Sequence, residues 1–277
     1  RFSVKFKVGF LNLFLITGIV FWNLSYISMN YSAYTTKVSN LNALQKVREI
    51  ESLINSFEEE RREALRFLYV THNAEAYNRA VEITKSKLSN IEGLIQQCRY
   101  KKKRTIIRQS LDNFADVRKE LLSNRLSGTE VIRYYTDGII KHLIDIVASI
   151  SHNNSANGFG SYMDMINAVE YSALETDLTT AIMGEKRLNS DLYDVIMIQS
   201  GKAQSELDNF KRTADSDAIK MLYASYRNGD FVEINIQKEN FRNHIFKADS
   251  DPFDLAAWNS ATKRYIDDLR SIADHEF

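Results

Sequence analysis

A single proline, Pro252, interrupts a chain of 277 residues, and only ten glycines accompany it. Tight turns need Gly and Pro, while Pro inside a helix removes a hydrogen bond and clashes with the preceding turn. A chain this poor in both has few turn signals and long runs free of helix breakers. It is therefore expected to be all-α. Its 44% apolar and 26% charged residues are the composition of a chain that folds around a core. One cysteine, Cys98, excludes an intrachain disulfide framework and any multi-cysteine zinc or iron–sulfur site. Basic and acidic residues both number 36, so net charge gives no case for nucleic acid as a partner.

The balance conceals a segregation. Residues 1–36 hold Arg1, Lys5 and Lys7 and no acid, leaving 33 bases against 36 acids in the remainder. No charged side chain lies between Lys7 and Lys37. Within that gap Val8 to Met29, VGFLNLFLITGIVFWNLSYISM, would rise about 33 Å as a helix, close to the thickness of a bilayer's hydrocarbon core. Trp22 and Tyr26 suit its polar interface, and Asn12 and Asn23 are tolerable facing another helix or near the boundary. A cleaved signal peptide has a shorter apolar region ending at small residues, and no A-x-A-like site follows here. The pattern predicts a cytoplasmic basic N-terminus over 1–7, a transmembrane helix over 8–29 and an extracytoplasmic helical domain over 30–277. That places the protein in the inner (cytoplasmic) membrane, with its domain periplasmic or extracellular.

Beyond residue 33 the chain reads as successive helices. The first runs from about Ala33 to Thr71, continuous with the membrane helix, along a stripe of Val38, Leu41, Leu44, Val47, Ile50, Ile54, Phe57, Leu65 and Leu68. Others are expected near Ala74–Gln97, Thr105–Asn124, Glu130–Ser151, Phe159–Met183, from Ser190 or Asp191 to Thr213, Ser216–Tyr226 and Asp230–Phe246. Thr129, after Ser127-Gly128, is a candidate N-cap. His152 to Gly158 is the longest loop signal, and Asp249-Ser250-Asp251-Pro252 opens the last helix, with Pro252 where its missing amide costs nothing.

Catalytic signals are sparse. The sequence has no Walker A, dinucleotide-binding, nucleophile-elbow or H-E-x-x-H motif, so no enzyme, cofactor or metal is expected. Glu63-Ala64-Leu65 lacks the further acids of a phosphodiesterase site, and His142 with Asp145 offers two metal ligands where two seldom suffice. Arg99 could lower the pKa of Cys98, but the reading preferred for it is a small core or surface thiol. The run Arg99-Tyr100-Lys101-Lys102-Lys103-Arg104 reads as a solvated turn whose cations suit a helix C-terminus.

Arg61 stands apart. It occupies the stripe of the first helix, within Ile54, Phe57, Arg61, Leu65 and Leu68 at steps of three and four. A guanidinium on a core face must find an acid, carbonyls or a bound anion. Glu170 and Asp177, seven apart on the fifth helix and hence on one face, are the acids that could close on it. Ion pairing and ligand binding both remain open at this point. Closure by an acid neutralises the charge and argues against an anion beside it.

A family resemblance adds to this. Phe57-Glu58-Glu59-Glu60-Arg61-Arg62-Glu63-Ala64-Leu65 resembles the glutamate–arginine segment that opens the nitrate- and nitrite-sensing domains. Tyr135-Thr136-Asp137-Gly138-Ile139-Ile140 resembles their tyrosine–threonine helix start. Glu170 to Glu175, then Tyr193, Phe210 and Ala214, follow the central pattern, and Asp251-Pro252, Trp258, Thr262, Ile266, Asp267 and Arg270 the closing helix. The resemblance covers about Val38 to Asp274. It departs where the family often has a second glutamate–arginine pair, here Glu175-Thr176, and where Arg62 replaces a usual glycine.

The resemblance implies an all-helical, elongated sensor of two packed bundles, an input domain for chemoreceptors, kinases, cyclases or an antiterminator. It implies a small anion, nitrate or nitrite, held between arginines of separate helices. Arg61 matches the first, and Arg242, in the helix before Asp251-Pro252, is the candidate for the second. Two forked guanidiniums suit a flat triangular oxyanion. A parallel homodimer, a second membrane helix after Phe277 and a cytoplasmic signalling module complete the expected receptor. The alternative is a membrane-anchored helical module that binds protein and no small molecule.

Overall fold

The structure, a computed structural model, describes residues 4–97, 101–152, 159–185, 190–227, 229–246 and 253–276. The side chains of 4–16, 90–92, 94–97, 101–103, 151–152, 190–192, 230, 245–246 and 276 lie outside the description. Eleven α-helices and one π-turn account for nearly all the described residues, and no strand occurs among them. They are α1 (Val4–Tyr69), α2 (Ala74–Gln97), α3 (Lys101–Asp112), α4 (Phe114–Leu122) and α5 (Gly128–Tyr135), then the π-turn (Thr136–Ile140). After it come α6 (Lys141–His152), α7 (Phe159–Glu185), α8 (Ser190–Thr213), α9 (Ser216–Arg227), α10 (Gly229–Phe246) and α11 (Leu255–Glu276). The all-α class read from the sequence is the observed one.

Short polar side chains set the helix starts. Asn73 accepts from the amides of Glu75 and Ala76 at α2, Asp215 from Asp217 and Ala218 at α9, and Asp254 from Ala256 and Ala257 at α11. The cap of α5 is Ser127 rather than Thr129. Its hydroxyl accepts from the Glu130 amide while the Glu130 carboxylate accepts from the Ser127 amide, a reciprocal capping box that Thr129 is placed too late to make. Two expected helices are divided. Asn113 separates α3 from α4, and the π-turn separates α5 from α6. The helix expected to open at Asp249–Pro252 is described only from Leu255; Pro252, Cys98, Arg99, Tyr100 and residues 153–158 lie outside the described residues, and His152, expected in a loop, ends α6.

The chain divides into residues 1–45 and residues 46–277. In the first unit the described side chains from Thr17 onward are mostly exposed, including Phe21, Trp22 and Tyr34. Among the described residues no helix is long and apolar enough to cross a membrane. The side chains of residues 8–16, the first part of the expected span, fall outside that set.

In the second unit α7 packs against α8, α11 and α5. It is buried on nearly every side, so it cannot be amphipathic, and its threonines satisfy themselves locally. Thr176, Thr179 and Thr180 donate to the carbonyls of Ser172, Glu175 and Thr176. On α11, Trp258, Ala261, Thr262, Tyr265, Ile266, Leu269, Ile272 and Ala273 form a buried stripe at helical spacing. Residues 50–65 of α1 are likewise enclosed nearly all round, which carries an acidic and basic run into the interior.

Candidate functional site

Four charged residues in a row-and-a-half of α1, namely Glu58, Glu60, Arg61 and Arg62, are almost wholly excluded from solvent. Burial of charge is costly unless each group finds a partner, and each of these does. The Glu60 carboxylate accepts from Arg118 of α4 through Nε at 2.7 Å and Nη2 at 2.8 Å, a forked pair, and from the Tyr135 hydroxyl at 2.8 Å. Phe114 packs edge-on to Tyr135 and lies beneath the Arg118 guanidinium, 4.4 Å from its ring centre.

Arg61 is fully buried. Its Nε donates to Asp177 Oδ2 at 2.5 Å, and its Nη1 donates to Thr136 Oγ1 at 2.6 Å and Glu170 Oε1 at 3.0 Å. Nη2 reaches Glu170 Oε2 at 3.3 Å. The adjacent pair Tyr135-Thr136 thus meets the adjacent pair Glu60-Arg61, hydroxyl to acid and hydroxyl to base. Behind Arg61, Glu58 pairs with Arg270 of α11 and hydrogen-bonds Glu170. Arg62 bonds Glu59 at 2.5 Å, and Lys263 of α11 reaches the same carboxylate at 3.1 Å.

The π-turn adds space to this arrangement. Such turns insert a residue into the helical ladder and recur at functional sites. Thr136 and Asp137 of this one help to line a cavity of about 340 Å³, with Lys141 and Asp145 of α6, Asn167, Glu170 and Tyr171 of α7, and Gln199 and Lys202 of α8. Its wall therefore includes both Thr136 and Glu170, two direct partners of Arg61. Lys202 Nζ sits 5.2 Å from the centre of the Tyr171 ring.

Electrostatics set the protonation states. Burial, opposed by Arg61 and reinforced by Glu58, pushes the Glu170 carboxyl up to about 8. Burial also presses upward on Glu58, but the Arg270 guanidinium, the Glu170 hydrogen bond and Arg61 outweigh it and hold Glu58 below the ordinary range. Near neutrality the two acids thus share a proton that resides on Glu170. Burial raises Asp177 as well, against the pull of Arg61 and Arg62. Burial opposes the charge on Arg61, and Glu170 and Asp177 overcome it and keep the guanidinium protonated.

Of the residues singled out from sequence, the structure joins Arg61, Glu170 and Asp177 and leaves Arg242 apart. The Arg242 side chain is 58% exposed on α10, and its Nη2 bonds Glu239 at 2.7 Å on the same helix. The expected convergence of two guanidiniums is therefore corrected to one guanidinium held by two acids. A ligand role for Arg242 rests on sequence position alone. The periodicity of α1 led to Arg61 but missed Glu58, Glu60 and Arg62, because a one-sided stripe assigns them to solvent. Arg118 was unassigned, and Arg270 entered only through the family resemblance. The available signal was the run Glu58-Glu59-Glu60 in the middle of a helix, which needs bases from elsewhere once that helix is enclosed.

The family described as nitrate and nitrite sensing matches residues 52–275. The chain belongs to that family. Among the residues through which the sequence resembles this sensing family, Thr136 and Glu170 bond Arg61, and Arg270 of the closing helix pairs with Glu58. Trp258 donates from its indole to the Thr176 carbonyl at 3.3 Å. The structure described as that of the NasR transcription antiterminator is similar to this member of the sensing family, with a TM-score of 0.73 and 14% identity. The similarity covers 90% of this chain and 71% of that one, and at this identity it speaks to the fold alone. A search of curated proteins returned no match.

Proposed function

We propose that the chain is the sensing portion of a membrane receptor for a small anion, nitrate or nitrite. Its ligand would enter the cavity beside Arg61. The observation that carries this reading is the meeting of the family's Glu60-Arg61, Tyr135-Thr136 and Glu170 motifs behind one cavity, which Thr136 and Glu170 line. Lys141 and Lys202 supply positive charge there, and Thr136 and Asn167 supply hydrogen-bonding groups. Arg61, saturated by Asp177 and Glu170, holds the wall in place, and it reaches a ligand only by giving up one of those acids.

In this reading residues 8–29 span the membrane with residue 1 inside and the rest of α1 carries on outside. The exposed apolar face of residues 19–29 supports it, because such a face is stable against lipid and costly against water. The helices of residues 46–277 would act as two bundles, with displacement of α11 in a homodimer as the signal to a downstream module. Nitrate and nitrite should raise the melting temperature of the purified chain above that given by equal concentrations of chloride. Arg61→Lys should blunt that rise. Absence of any anion-specific rise would end the reading. Reporter fusions placed after residue 45 test the topology, and cytoplasmic activity there would reverse it.

The closure of two acids on Arg61 favours a second reading, a membrane-anchored helical module whose ionic core is structural and which binds protein alone. In that case Arg61 variants change stability and no anion stabilises the wild type.

A further inference from the structure

Glu170 stands where three arrangements meet. It accepts both Arg61 Nη atoms, at 3.0 and 3.3 Å, it hydrogen-bonds Glu58, and it walls the 340 Å³ cavity. The charged groups facing it fall into two sets. From the core side come Arg61 and Glu58 of α1 and Asp177 of α7, with Arg270 of α11 behind Glu58. From the cavity side come Asp137 of the π-turn, Lys141 and Asp145 of α6, and Lys202 of α8, with the Tyr171 phenol beside them. An ionised Glu170 would add its charge to a cavity wall that already holds the carboxylates of Asp137 and Asp145. It also touches a second carboxyl, and two carboxylates in contact do not both ionise without penalty.

We propose that this cavity takes its small anion together with a proton, and that Glu170 is the group that holds the proton. The proposal rests on the anion-sensing reading above and adds what that reading leaves open, the charge state in which the site binds. An anion placed against Thr136 and Glu170 brings a negative charge to a wall that holds two lysines and two aspartates besides Glu170. With Glu170 ionised that charge meets an acid pair. With Glu170 protonated it meets a neutral carboxyl whose hydroxyl donates to Glu58. The only bond made is the O–H of Glu170, and the proton comes from solvent. The upward displacement of Glu170 to about 8 agrees with this geometry. The same proton fixes the partner of Glu58, and Glu58 holds Arg270, so occupancy of the cavity reaches α11 through two carboxyls.

The test is calorimetric titration of the full chain with sodium nitrate, on both sides of about pH 8, in two buffers of different ionisation enthalpy. Nitrate affinity should fall about tenfold for each pH unit above that point, with uptake approaching one proton per anion on the alkaline side. Glu170→Gln should abolish both the pH dependence and the uptake, because an amide is neutral throughout. Affinity that is flat with pH, with no proton taken up, overturns the proposal and leaves anion sensing standing. Nitrate that binds at no pH overturns the anion reading and this proposal with it. The proton count on the wild-type chain decides between these outcomes even where Glu170→Gln does not fold.

Discussion

Removing the Arg61 side chain should convert a matched ionic core into one with a stranded acid. In Arg61→Ala, Asp177 loses its 2.5 Å partner and keeps only the more distant field of Arg62. Glu170 loses Arg61 too, but it already carries a proton near neutrality and adds little to the cost. Asp177 must then either remain charged in the interior or take up a proton. Protonating an acid whose ordinary pKa is 3.8 costs about 4 kcal/mol at pH 7, at about 1.4 kcal/mol per pH unit. That figure is a ceiling, since the chain takes the cheaper course, and it falls within the 3–5 kcal/mol typical of breaking a buried pair.

The sign of the pH dependence follows from the same proton. In the variant, folded Asp177 binds a proton that the unfolded chain does not bind above about pH 4. Variant stability therefore falls as pH rises. The deficit relative to wild type should be about 4 kcal/mol at pH 7 and about 1.6 kcal/mol at pH 5. Urea unfolding followed by circular dichroism at both pH values measures it. The double variant Arg61→Ala with Asp177→Asn should recover most of the loss at pH 7 and show no further slope from this site. A deficit under about 1 kcal/mol, or one of equal size at both pH values, would refute the account of Asp177 as the stranded charge.

Three further outcomes are expected. Because the Glu170 carboxyl sits near 8 when folded and at 4.5 when unfolded, wild-type stability should decline between those pH values, by on the order of 4–5 kcal/mol in all, and Glu170→Gln should flatten the decline in a pH series of urea melts. Arg118→Ala strands the buried Glu60 with only the Tyr135 hydroxyl and should cost about 3–5 kcal/mol, while Arg118→Lys keeps the charge without the fork and should recover part of it. A methyl group at Gly184 would lie 2.6 Å from the Tyr69 Cβ, so Gly184→Ala should cost about 2–3 kcal/mol by urea unfolding, whereas a Gly201→Ala control, with open space around it, should cost nothing and gain helix propensity.

Most of the helical layout was legible because helices declare themselves locally. The bounds Ala74–Gln97, Ser190–Thr213 and Ser216–Tyr226 read from apolar spacing and caps agree with α2, α8 and α9 to within a residue. The errors fall where the deciding contact is not local. The π-turn leaves the apolar spacing of residues 130–151 readable as one helix, since a single inserted residue changes the phase by about one position. Ser127 rather than Thr129 caps α5 because Glu130 can reach back to it, a reciprocity that single-residue preferences do not weigh.

The ionic core shows a stricter limit. Periodicity marks a residue as buried when one face of a helix is buried, and by that rule Arg61 was the one charge out of place. Between residues 50 and 65 α1 is covered on all sides, so the rule's premise fails and Glu58, Glu60 and Arg62 become invisible to it. Their partners come from α4, α7 and α11, at separations of 58 residues for Glu60 and Arg118 and 212 for Glu58 and Arg270. No pattern on α1 states which helix supplies the base. The charge balance of the assembled core does, because an enclosed helix with three acids in a row folds only where cations from other helices arrive in matching number. Arg118 meets Glu60, Arg270 meets Glu58 and Lys263 meets Glu59, while Glu170 and Asp177 hold Arg61. Glu170 hydrogen-bonds Glu58 and walls the cavity, burial pushes its carboxyl toward the protonated form, and in the proposed reading it is Glu170, more than Arg61 itself, that meets what enters the cavity.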